Sequence, residues 1–281
     1  MLARAKVNLY LHITGRRADG YHLLDSLIVF AETGDEIAVA PAAELSLAIG
    51  GPFAGELGAG PDNLVLRAAD ALRRLTGTHS GAAITLTKNL PIASGIGGGS
   101  ADAATTLSAL CGLWKVAPER RALMELATSL GADVPVCLDG RPSLVGGIGE
   151  EIATVEDLPP AWLLLANPRV ATPTPAVFKA RKGAFSPSKP WGASPKDFAQ
   201  LAARLQSTTN DLTEAAIGVT PAIRDVLVAL ASLPGCALAR LSGSGATCFG
   251  LFADERSARA AEASLRATQP GWWVAAAAMA R

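Results

Sequence analysis

The most chemically informative segment of the chain is a glycine-rich loop at residues 91–103, Pro-Ile-Ala-Ser-Gly-Ile-Gly-Gly-Gly-Ser-Ala-Asp-Ala. Four of the five residues from Gly95 to Gly99 are glycines, which lets the backbone fold tightly and turn several N–H groups into one concavity. Apolar residues at helical spacing follow, so the positive end of a helix dipole would face the same concavity. The segment predicts a loop that binds polyphosphate; the plainer interpretation is a flexible turn before a helix.

The common nucleotide-binding loops do not match this segment. A Walker A loop requires a Gly-Lys pair, which the sequence lacks. The dinucleotide fingerprint requires Gly or Ala where Ser100 stands. The V-A-I-K, H-R-D and D-F-G motifs of protein kinases are also absent. The loop therefore predicts phosphate binding, but it is a poor match to all three of these common classes of nucleotide-binding protein.

Two residues of opposite charge have plain structural interpretations when taken alone. Asp133 follows a helix-ending glycine and precedes Val134-Pro135, a context that favours an N-cap. Lys6 lies in the alternating run Ala5–Ile13, where a surface lysine on a strand is the usual case.

Three further polar segments also have plain structural interpretations when taken alone. The Tyr21-His22 pair follows a polar turn and favours packing over recognition. Asp62-Asn63 precedes a predicted helix and fits either capping or a nucleotide contact. The small residues Ser-Gly-Ser-Gly-Ala-Thr at 242–247 fit a hairpin turn between two strands.

The elements that must position these residues are a mixture of strands and helices. The predicted strands are 5–13, 23–30, 35–40, 83–87, 162–165, 237–241, 247–252 and 272–280. The predicted helices are 62–75, 104–114, 120–130 with Gly131 as its C-terminal cap, 198–204, 221–233 and 255–267. Because strands and helices do not alternate strictly, the predicted class is α+β rather than a doubly wound sheet. A proline-rich zone at 159–195 and the length of 281 residues predict two domains, 1–155 and 156–281.

Composition excludes several classes of function. Twenty-five Lys and Arg residues balance 25 Asp and Glu residues, so no basic excess is available for a nucleic-acid partner. No run approaches 18 apolar residues and the N-terminus lacks an apolar h-region, so neither a membrane span nor a signal peptide is predicted. Four cysteines without a C-x-x-C pair and three scattered histidines predict buried free thiols rather than a zinc site. The predicted location is cytoplasmic.

The glycine-rich loop resembles the phosphate loop of the galactokinase/homoserine/mevalonate/phosphomevalonate kinase superfamily. Three further segments resemble one branch of it, the 4-diphosphocytidyl-2-C-methyl-D-erythritol kinases. These segments are Ala-Lys-Val-Asn-Leu at 5–9 with Gly-Tyr-His at 20–22, Gly-Ala-Asp-Val-Pro-Val at 131–136, and Leu-Ser-Gly-Ser-Gly-Ala-Thr at 241–247. Together they span nearly the whole chain in the family's order. Ile92-Ala93-Ser94 and Ile96 depart from the more usual Met-Gly-Gly/Ala and Leu, which leaves the glycines intact.

The resemblance implies an α+β small-molecule kinase with its active site in the cleft between two domains. The first domain would carry the phosphate loop and the catalytic residues, and the second would complete the substrate site. The implied reaction is ATP-dependent phosphorylation of the 2-hydroxyl of 4-diphosphocytidyl-2-C-methyl-D-erythritol, in the non-mevalonate isoprenoid precursor pathway. ATP and this alcohol would be the small-molecule partners, and Mg²⁺ is expected to accompany ATP.

The resemblance also implies roles for individual residues. Asp133 becomes the catalytic base, and Lys6 the cation beside it. Tyr21 and Phe178 would stack on cytosine, and His22 would hydrogen-bond its edge; Asn8 and Thr174 are expected near the substrate. The expected ATP and phosphate contacts are Asp62, Asn63, Pro91, Ile92, Ala93, Ser94, Gly95, Ile96, Gly97, Gly98, Gly99, Ser100 and Ala101. Ser242, Gly243, Ser244 and Gly245 would form a loop that supports the phosphate loop.

Two other classes of function share part of this pattern. A superfamily kinase for another small alcohol, such as homoserine or mevalonate, would keep the loop without needing Tyr21-His22. A non-catalytic nucleotide-binding or interaction protein would keep the loop without needing Lys6 and Asp133. The presence of all four residues argues against both.

Overall fold

The computed structural model describes residues 1–188 and 190–280. Within these ranges the strands are β1 (Leu2–Arg16), β2 (His22–Ala42), β3 (Leu45–Gly50), β4 (Gly81–Thr87), β5 (Ser143–Gly146), β6 (Glu151–Thr154), β7 (Trp162–Asn167), β8 (Leu238–Leu241), β9 (Cys248–Phe252) and β10 (Trp273–Ala278). The helices are α1 (Leu64–Thr76), α2 (Gly98–Trp114), α3 (Arg120–Leu130), α4 (Val134–Asp139), α5 (Thr174–Ala180), α6 (Phe198–Gln206), α7 (Thr213–Val219), α8 (Ala222–Ala231) and α9 (Glu255–Thr268). A short 3₁₀ turn occupies Ala54–Glu56. This mixture confirms the α+β class.

The chain forms two compact units, each built from several segments. The first unit comprises Met1–Ala5, Thr33–Ile92 and Gly97–Gly140. The second comprises Lys6–Glu32, Ala93–Ile96 and the chain from Arg141 onward. The linear division of the chain at residues 155 and 156 stays a prediction.

The first unit is organised around β4. This strand pairs antiparallel with the later part of β2, with Glu36 opposite Thr87, and parallel with β3, with Leu45 opposite Ala82. Helices α1 and α2 contribute an apolar face that includes Leu72 and Leu107, both fully buried. The core of this unit therefore anchors α2, the helix that follows the glycine-rich loop.

The second unit contains two groups of antiparallel strands. The early part of β2 pairs with β5, with Ser26 opposite Val145, and β5 pairs with β6. The other sheet has the order β10-β7-β9-β8 with antiparallel neighbours throughout. Its buried side chains, such as Leu164 and Phe252, form a core with α8 and α9. The hairpin β8–β9 carries the small-residue loop at its tip.

Several local expectations were wrong for identifiable reasons. The sequence predicted two strands at 23–30 and 35–40, whereas β2 runs through both without a break. Gly34 lies between them because a Cβ there would sit 2.0 Å from the carbonyl oxygen of Ala3, so the glycine permits close approach rather than a turn. Gly131 caps α3 as predicted, with its N–H donating to the Ala127 carbonyl, but its backbone is extended (φ 165°) rather than in the left-handed conformation of a typical glycine cap. None of the four cysteines, all within the described residues, forms a disulfide, but only Cys248 is fully buried.

Candidate active site

A buried network in the second unit surrounds Lys6 and Asn8. The two residues are two positions apart in β1, so their side chains lie on the same face of the strand. Lys6 is 5% exposed and Asn8 is 3% exposed. The Lys6 ammonium donates a 3.0 Å hydrogen bond to Oδ1 of Asn8. The Asn8 amide in turn donates to Oγ of Ser26 at 2.8 Å, and Ser26 donates to the carbonyl of Tyr10 at 2.6 Å. This chain of hydrogen bonds fixes the position of a cation that is costly to bury without partners. Sequence reasoning missed Ser26.

The small-residue loop at the tip of the β8–β9 hairpin contacts the middle of the glycine-rich loop. Oγ of Ser242 accepts a hydrogen bond from the Asn8 backbone at 3.2 Å and donates to the carbonyl of Gly95 at 3.1 Å. The Thr247 amide donates to the Ser94 carbonyl at 3.0 Å. Gly95 has a positive φ of 76°, and a Cβ on it would lie 2.5 Å from the Ser242 carbonyl oxygen. Segments 94–96 and 242–247 are therefore packed backbone against backbone.

The first unit holds the end of the glycine-rich loop and the start of α2. Gly97 occupies the N-cap with φ 64°, a left-handed conformation that favours glycine. A Cβ at Gly99 would meet no atom within 4 Å, whereas a Cβ at Gly98 would lie 3.1 Å from the ammonium of Lys88. The first N–H groups of a helix have no partners within the helix, so the open side at Gly99 is suited to an anion.

A buried ion cluster that sequence reasoning missed lies beside Gly98. Lys88 binds both Asp35 and Asp102, and the side chains of all three residues are at most 3% exposed. The available signal was Asp102 itself, an acidic residue among alanines on a helix with a largely apolar face.

Asp133 occupies the N-cap position of α4, with φ −87° and ψ −10°. Its side chain makes no capping hydrogen bond to the first turn of α4 within the described part of the chain. The conventional N-cap interpretation therefore does not describe the carboxylate. Pro135 at the start of the helix fixes the backbone that follows it.

The aromatic residues predicted to bind a base lie in the second unit. The rings of His22 and Phe178 are 5.3 Å apart between centroids, with an interplanar angle of 36°. Tyr21 is 63% exposed. Partial burial lowers the pKa of His22, and the positive charges of Arg16 and Arg181 lower it further. The imidazole is thereby favoured in its neutral form near pH 7, with one donor and one acceptor nitrogen.

The remaining predicted contacts divide between the two units. In the second, the hydroxyl of Thr174 shares a 2.7 Å hydrogen bond with that of Ser244, so the two predicted positions are adjacent. In the first, Oδ1 of Asn63 accepts from the Val65 amide at 3.0 Å and caps α1. Asn63 therefore caps α1, and the nucleotide contacts of Asn63 and of exposed Asp62 both stay predictions.

Two features are absent from the part of the chain that the structure describes. Within residues 1–188 and 190–280, no group of three or more His, Cys, Asp and Glu side chains could hold a metal ion. In the same ranges, no helix combines the length and apolar character needed to cross a membrane.

Comparison with protein families identifies two matching regions. Residues 63–141 match the family model of the GHMP kinases N terminal domain, and residues 193–271 match that of the GHMP kinases C terminal region. The first region contains the whole glycine-rich loop and Asp133; the second contains the loop at 242–247.

Curated relatives match over nearly the full length of the chain. A 4-diphosphocytidyl-2-C-methyl-D-erythritol kinase of Paramagnetospirillum magneticum is 54% identical over 97% of this chain and 95% of its own. The protein of the same name from Rhodospirillum rubrum is 55% identical, over 98% of this chain and 90% of its own.

Solved structures agree with these relatives. The crystal structure of a 4-(cytidine 5'-diphospho)-2C-methyl-D-erythritol kinase matches with a TM-score of 0.80 and 33% identity, covering 100% of this chain and 99% of the other. A homoserine kinase from Cytophaga hutchinsonii, at 18% identity and a TM-score of 0.71 over 100% of this chain and 95% of its own, shares the fold. The chain therefore belongs to the 4-diphosphocytidyl-2-C-methyl-D-erythritol kinase family of the GHMP kinases.

Proposed function

We propose that this protein transfers the γ-phosphoryl group of ATP to the 2-hydroxyl of 4-diphosphocytidyl-2-C-methyl-D-erythritol, in the non-mevalonate isoprenoid precursor pathway. The observation that carries the proposal is the 54% identity over 97% of the chain to a relative of that name. The buried arrangement around Lys6 and the open first turn of α2 are the parts of the structure that suit phosphoryl transfer.

The glycine-rich loop binds the phosphates of ATP. The open side of Gly99 leaves room for an anion, and the first turn of α2 supplies backbone N–H donors and the positive end of a helix dipole. Asp62 and Asn63 contribute on the nucleotide side. The loop at Ser242–Gly245 acts indirectly by holding Gly95 in place.

Lys6 stabilises the negative charge that develops on the reacting oxygens. Its ammonium is held by Asn8 inside a region that excludes water, where a fixed positive charge is worth more than in solvent. Asn8 therefore acts as a positioning residue for the cation, and Ser26 positions Asn8.

Asp133 is the general base. The 2-hydroxyl oxygen attacks the γ-phosphorus, the bond from that phosphorus to the bridging oxygen of ADP breaks, and the hydroxyl proton passes to the Asp133 carboxylate. An alcohol is far too weak an acid to be ionised in advance by a carboxylate, so the proton is transferred while the phosphoryl group moves.

The cytidine moiety binds at Tyr21, His22 and Phe178. The exposed ring of Tyr21 and the half-buried ring of Phe178 supply stacking surfaces, and the neutral imidazole of His22 supplies a donor and an acceptor for the edge of cytosine. Thr174, adjacent to Ser244, contacts the same substrate.

Mg²⁺ enters as a companion of the ATP phosphates. Among the described residues, no group of three or more His, Cys, Asp or Glu side chains could hold a metal ion. Mg²⁺ commonly keeps most of its waters and binds substrate phosphates. A kinase that uses ATP and a small phosphorylated metabolite would meet both substrates in the cytoplasm, the location predicted from the sequence.

A panel of alcohols tests the proposal. Release of ADP is measured with 4-diphosphocytidyl-2-C-methyl-D-erythritol, homoserine and mevalonate, and ³¹P NMR identifies the product. The cytidylyl alcohol should be turned over at least roughly 10³-fold more efficiently, because a site that pairs with a base leaves polar groups unpaired with the others. Comparable rates with homoserine or mevalonate would refute the substrate assignment.

The variant Asp133→Asn tests the base in the same assay. The amide keeps the shape of the side chain but cannot accept the proton, so kcat should fall by roughly 10² or more while ATP affinity stays within twofold. A variant with nearly wild-type turnover would show that Asp133 only shapes the start of α4.

A further inference from the structure

The ion cluster in the first unit joins the two ends of the glycine-rich loop. Lys88 precedes the loop and Asp102 follows it, and their ammonium and carboxylate are 2.8 Å apart although the residues are 14 positions apart in sequence. Asp35, 53 positions from Lys88, binds the same ammonium. Its other carboxylate oxygen accepts hydrogen bonds from the amides of Asn89 at 2.6 Å and Leu90 at 2.8 Å. The cluster thus holds both the entrance and the exit of the loop.

The cluster also contacts the loop directly. A Cβ at Gly98 would lie 3.1 Å from the Lys88 ammonium and 3.5 Å from Oδ2 of Asp35, so the first turn of α2 rests on these two groups. The adjacent Gly99 faces open space instead. One side of the helix start is therefore occupied by the cluster, and the other remains available for an anion.

Charge does not balance within the cluster. Two carboxylates face one ammonium, so the fully ionised set carries one net negative charge inside the protein. Oδ1 of Asp102 is buried without a hydrogen-bond partner among the described residues, a costly state for an ionised carboxylate. Lys88 and Asp35 are the charged groups that act on Asp102. A proton on Asp102 is the cheapest way to remove the excess charge.

The pKa values of Asp102 and Lys88 agree with this geometry. Burial raises the pKa of Asp102 to about 7; the Lys88 ammonium opposes this rise and the Asp35 carboxylate adds to it. Burial alone would lower the pKa of Lys88, but the two carboxylates outweigh it and raise that pKa. The ammonium therefore stays charged at neutral pH, and Asp102 is the group whose charge changes.

We propose that Lys88, with Asp35 and Asp102, is a positioning residue of the phosphate loop, and that binding of the ATP polyphosphate favours the protonated form of Asp102. The inference rests on the proposed function. It follows because a polyanion bound on the open side at Gly99 and a net negative charge beside Gly98 repel each other at the first turn of α2. Protonating Asp102 removes that repulsion without releasing Lys88 from Asp35.

The test compares wild type with Asp102→Asn, Lys88→Met and the control Leu107→Ala. Leu107 is fully buried one turn further along α2, so its truncation destabilises the same helix without touching the cluster. KM for ATP, KM for the alcohol and kcat are measured from pH 6 to pH 8.5, with folding of each variant checked by circular dichroism. ATP itself titrates in this range, so the readout is the ratio of KM for ATP between wild type and Asp102→Asn.

That ratio should rise by roughly tenfold from pH 6 to pH 8.5, because Asp102 becomes charged over this range in wild type whereas the variant stays neutral there. KM for the alcohol should keep a constant ratio. Lys88→Met, if folded, should raise KM for ATP at least roughly tenfold and leave KM for the alcohol within threefold, whereas Leu107→Ala should change neither.

Different outcomes overturn different statements. Parallel pH profiles for wild type and Asp102→Asn, in an enzyme that phosphorylates the alcohol, would overturn the inference and leave the proposed function intact. Equal changes in both KM values for Lys88→Met and Leu107→Ala would reduce the cluster to a purely structural element. A wild-type protein that binds ATP but phosphorylates none of the alcohols would instead refute the proposed function.

Discussion

Replacing Asn8 with alanine should slow phosphoryl transfer without weakening ATP binding. Asn8 is 3% exposed and accepts a 3.0 Å hydrogen bond from the Lys6 ammonium. Its removal takes away a hydrogen bond that holds the ammonium in the position from which it stabilises the reacting oxygens. A hydrogen bond to a charged group contributes about 1.5–3 kcal/mol. If that contribution is expressed in the transition state, kcat should fall by roughly 10- to 150-fold.

Stability will also change, and the structure supplies a matched control. Alanine at position 8 removes the bond to Lys6 and the 2.8 Å bond to Ser26, for a total of about 2.5–4 kcal/mol. Asn167 is equally buried and also makes two side-chain hydrogen bonds, to the hydroxyl of Thr247 and from the amide of Arg169. Asn167→Ala should cost about 2 kcal/mol, because neither of its partners is charged.

Stopped-flow or steady-state ADP release gives kcat, and urea unfolding gives the free energy of unfolding for both variants. The expected pattern is a loss of stability in both and a loss of kcat mainly in Asn8→Ala. An Asn8→Ala protein that is destabilised as calculated but keeps kcat within threefold of wild type would show that Asn8 serves only the fold. An equal loss of kcat in Asn167→Ala would point to the same conclusion.

Three further outcomes are expected. In calorimetric titrations, Gly99→Val should raise the Kd for ATP by roughly tenfold or more and leave the Kd for the cytidylyl alcohol nearly unchanged, because the new side chain enters the open space of an anion site rather than the core. An equal loss of affinity for both ligands would indicate unfolding instead. Tyr21→Ala should raise KM for cytidine and uridine analogues alike, since stacking does not distinguish pyrimidines, whereas His22→Ala should narrow the ratio of their kcat/KM values; an unchanged ratio would make the imidazole a packing group. The pKa of Asp102 is raised to about 7 in the folded protein from an ordinary value of 3.8. Between these values the folded state holds a proton that the unfolded state has lost, so the free energy of unfolding falls as pH rises through this range. Chemical unfolding from pH 4.5 to 8 should show this decline in wild type relative to Asp102→Asn, and parallel curves would contradict it.

The long periodic elements of the fold were predictable from the sequence. The amphipathic patterns of α1, α3 and α9 and the alternation in β1 and β4 require only local information. The short helices α4, α5 and α7 and the strands β3, β5 and β6 were missed, because each spans at most seven residues and has too few turns or alternations to show a period. Their existence depends on contacts with partners far away in sequence.

The residues of the candidate site were predicted from two kinds of signal. The glycine-rich loop was predicted from its residue types, whereas Lys6 and Asp133 were assigned only through the family resemblance, and their roles stay predictions. The cluster of Asp35, Lys88 and Asp102 was not identified, because its members come from β2, the end of β4 and α2 and share no local motif. Ser26 escaped notice for the same reason, since only the pairing of strands brings it to Asn8.

The glycines of the loop show why a motif and its physical cause can differ. Gly95 is confined by the Ser242 carbonyl, and Gly98 rests on the Lys88 ammonium. Gly97 adopts the left-handed conformation of an N-cap, and a Cβ at Gly99 would meet open space. The glycine density that indicated phosphate binding is thus largely required by packing around the loop. A substitution scan should accordingly separate them: changes at Gly95 and Gly98 should weaken folding, whereas a change at Gly99 should weaken binding of the anion.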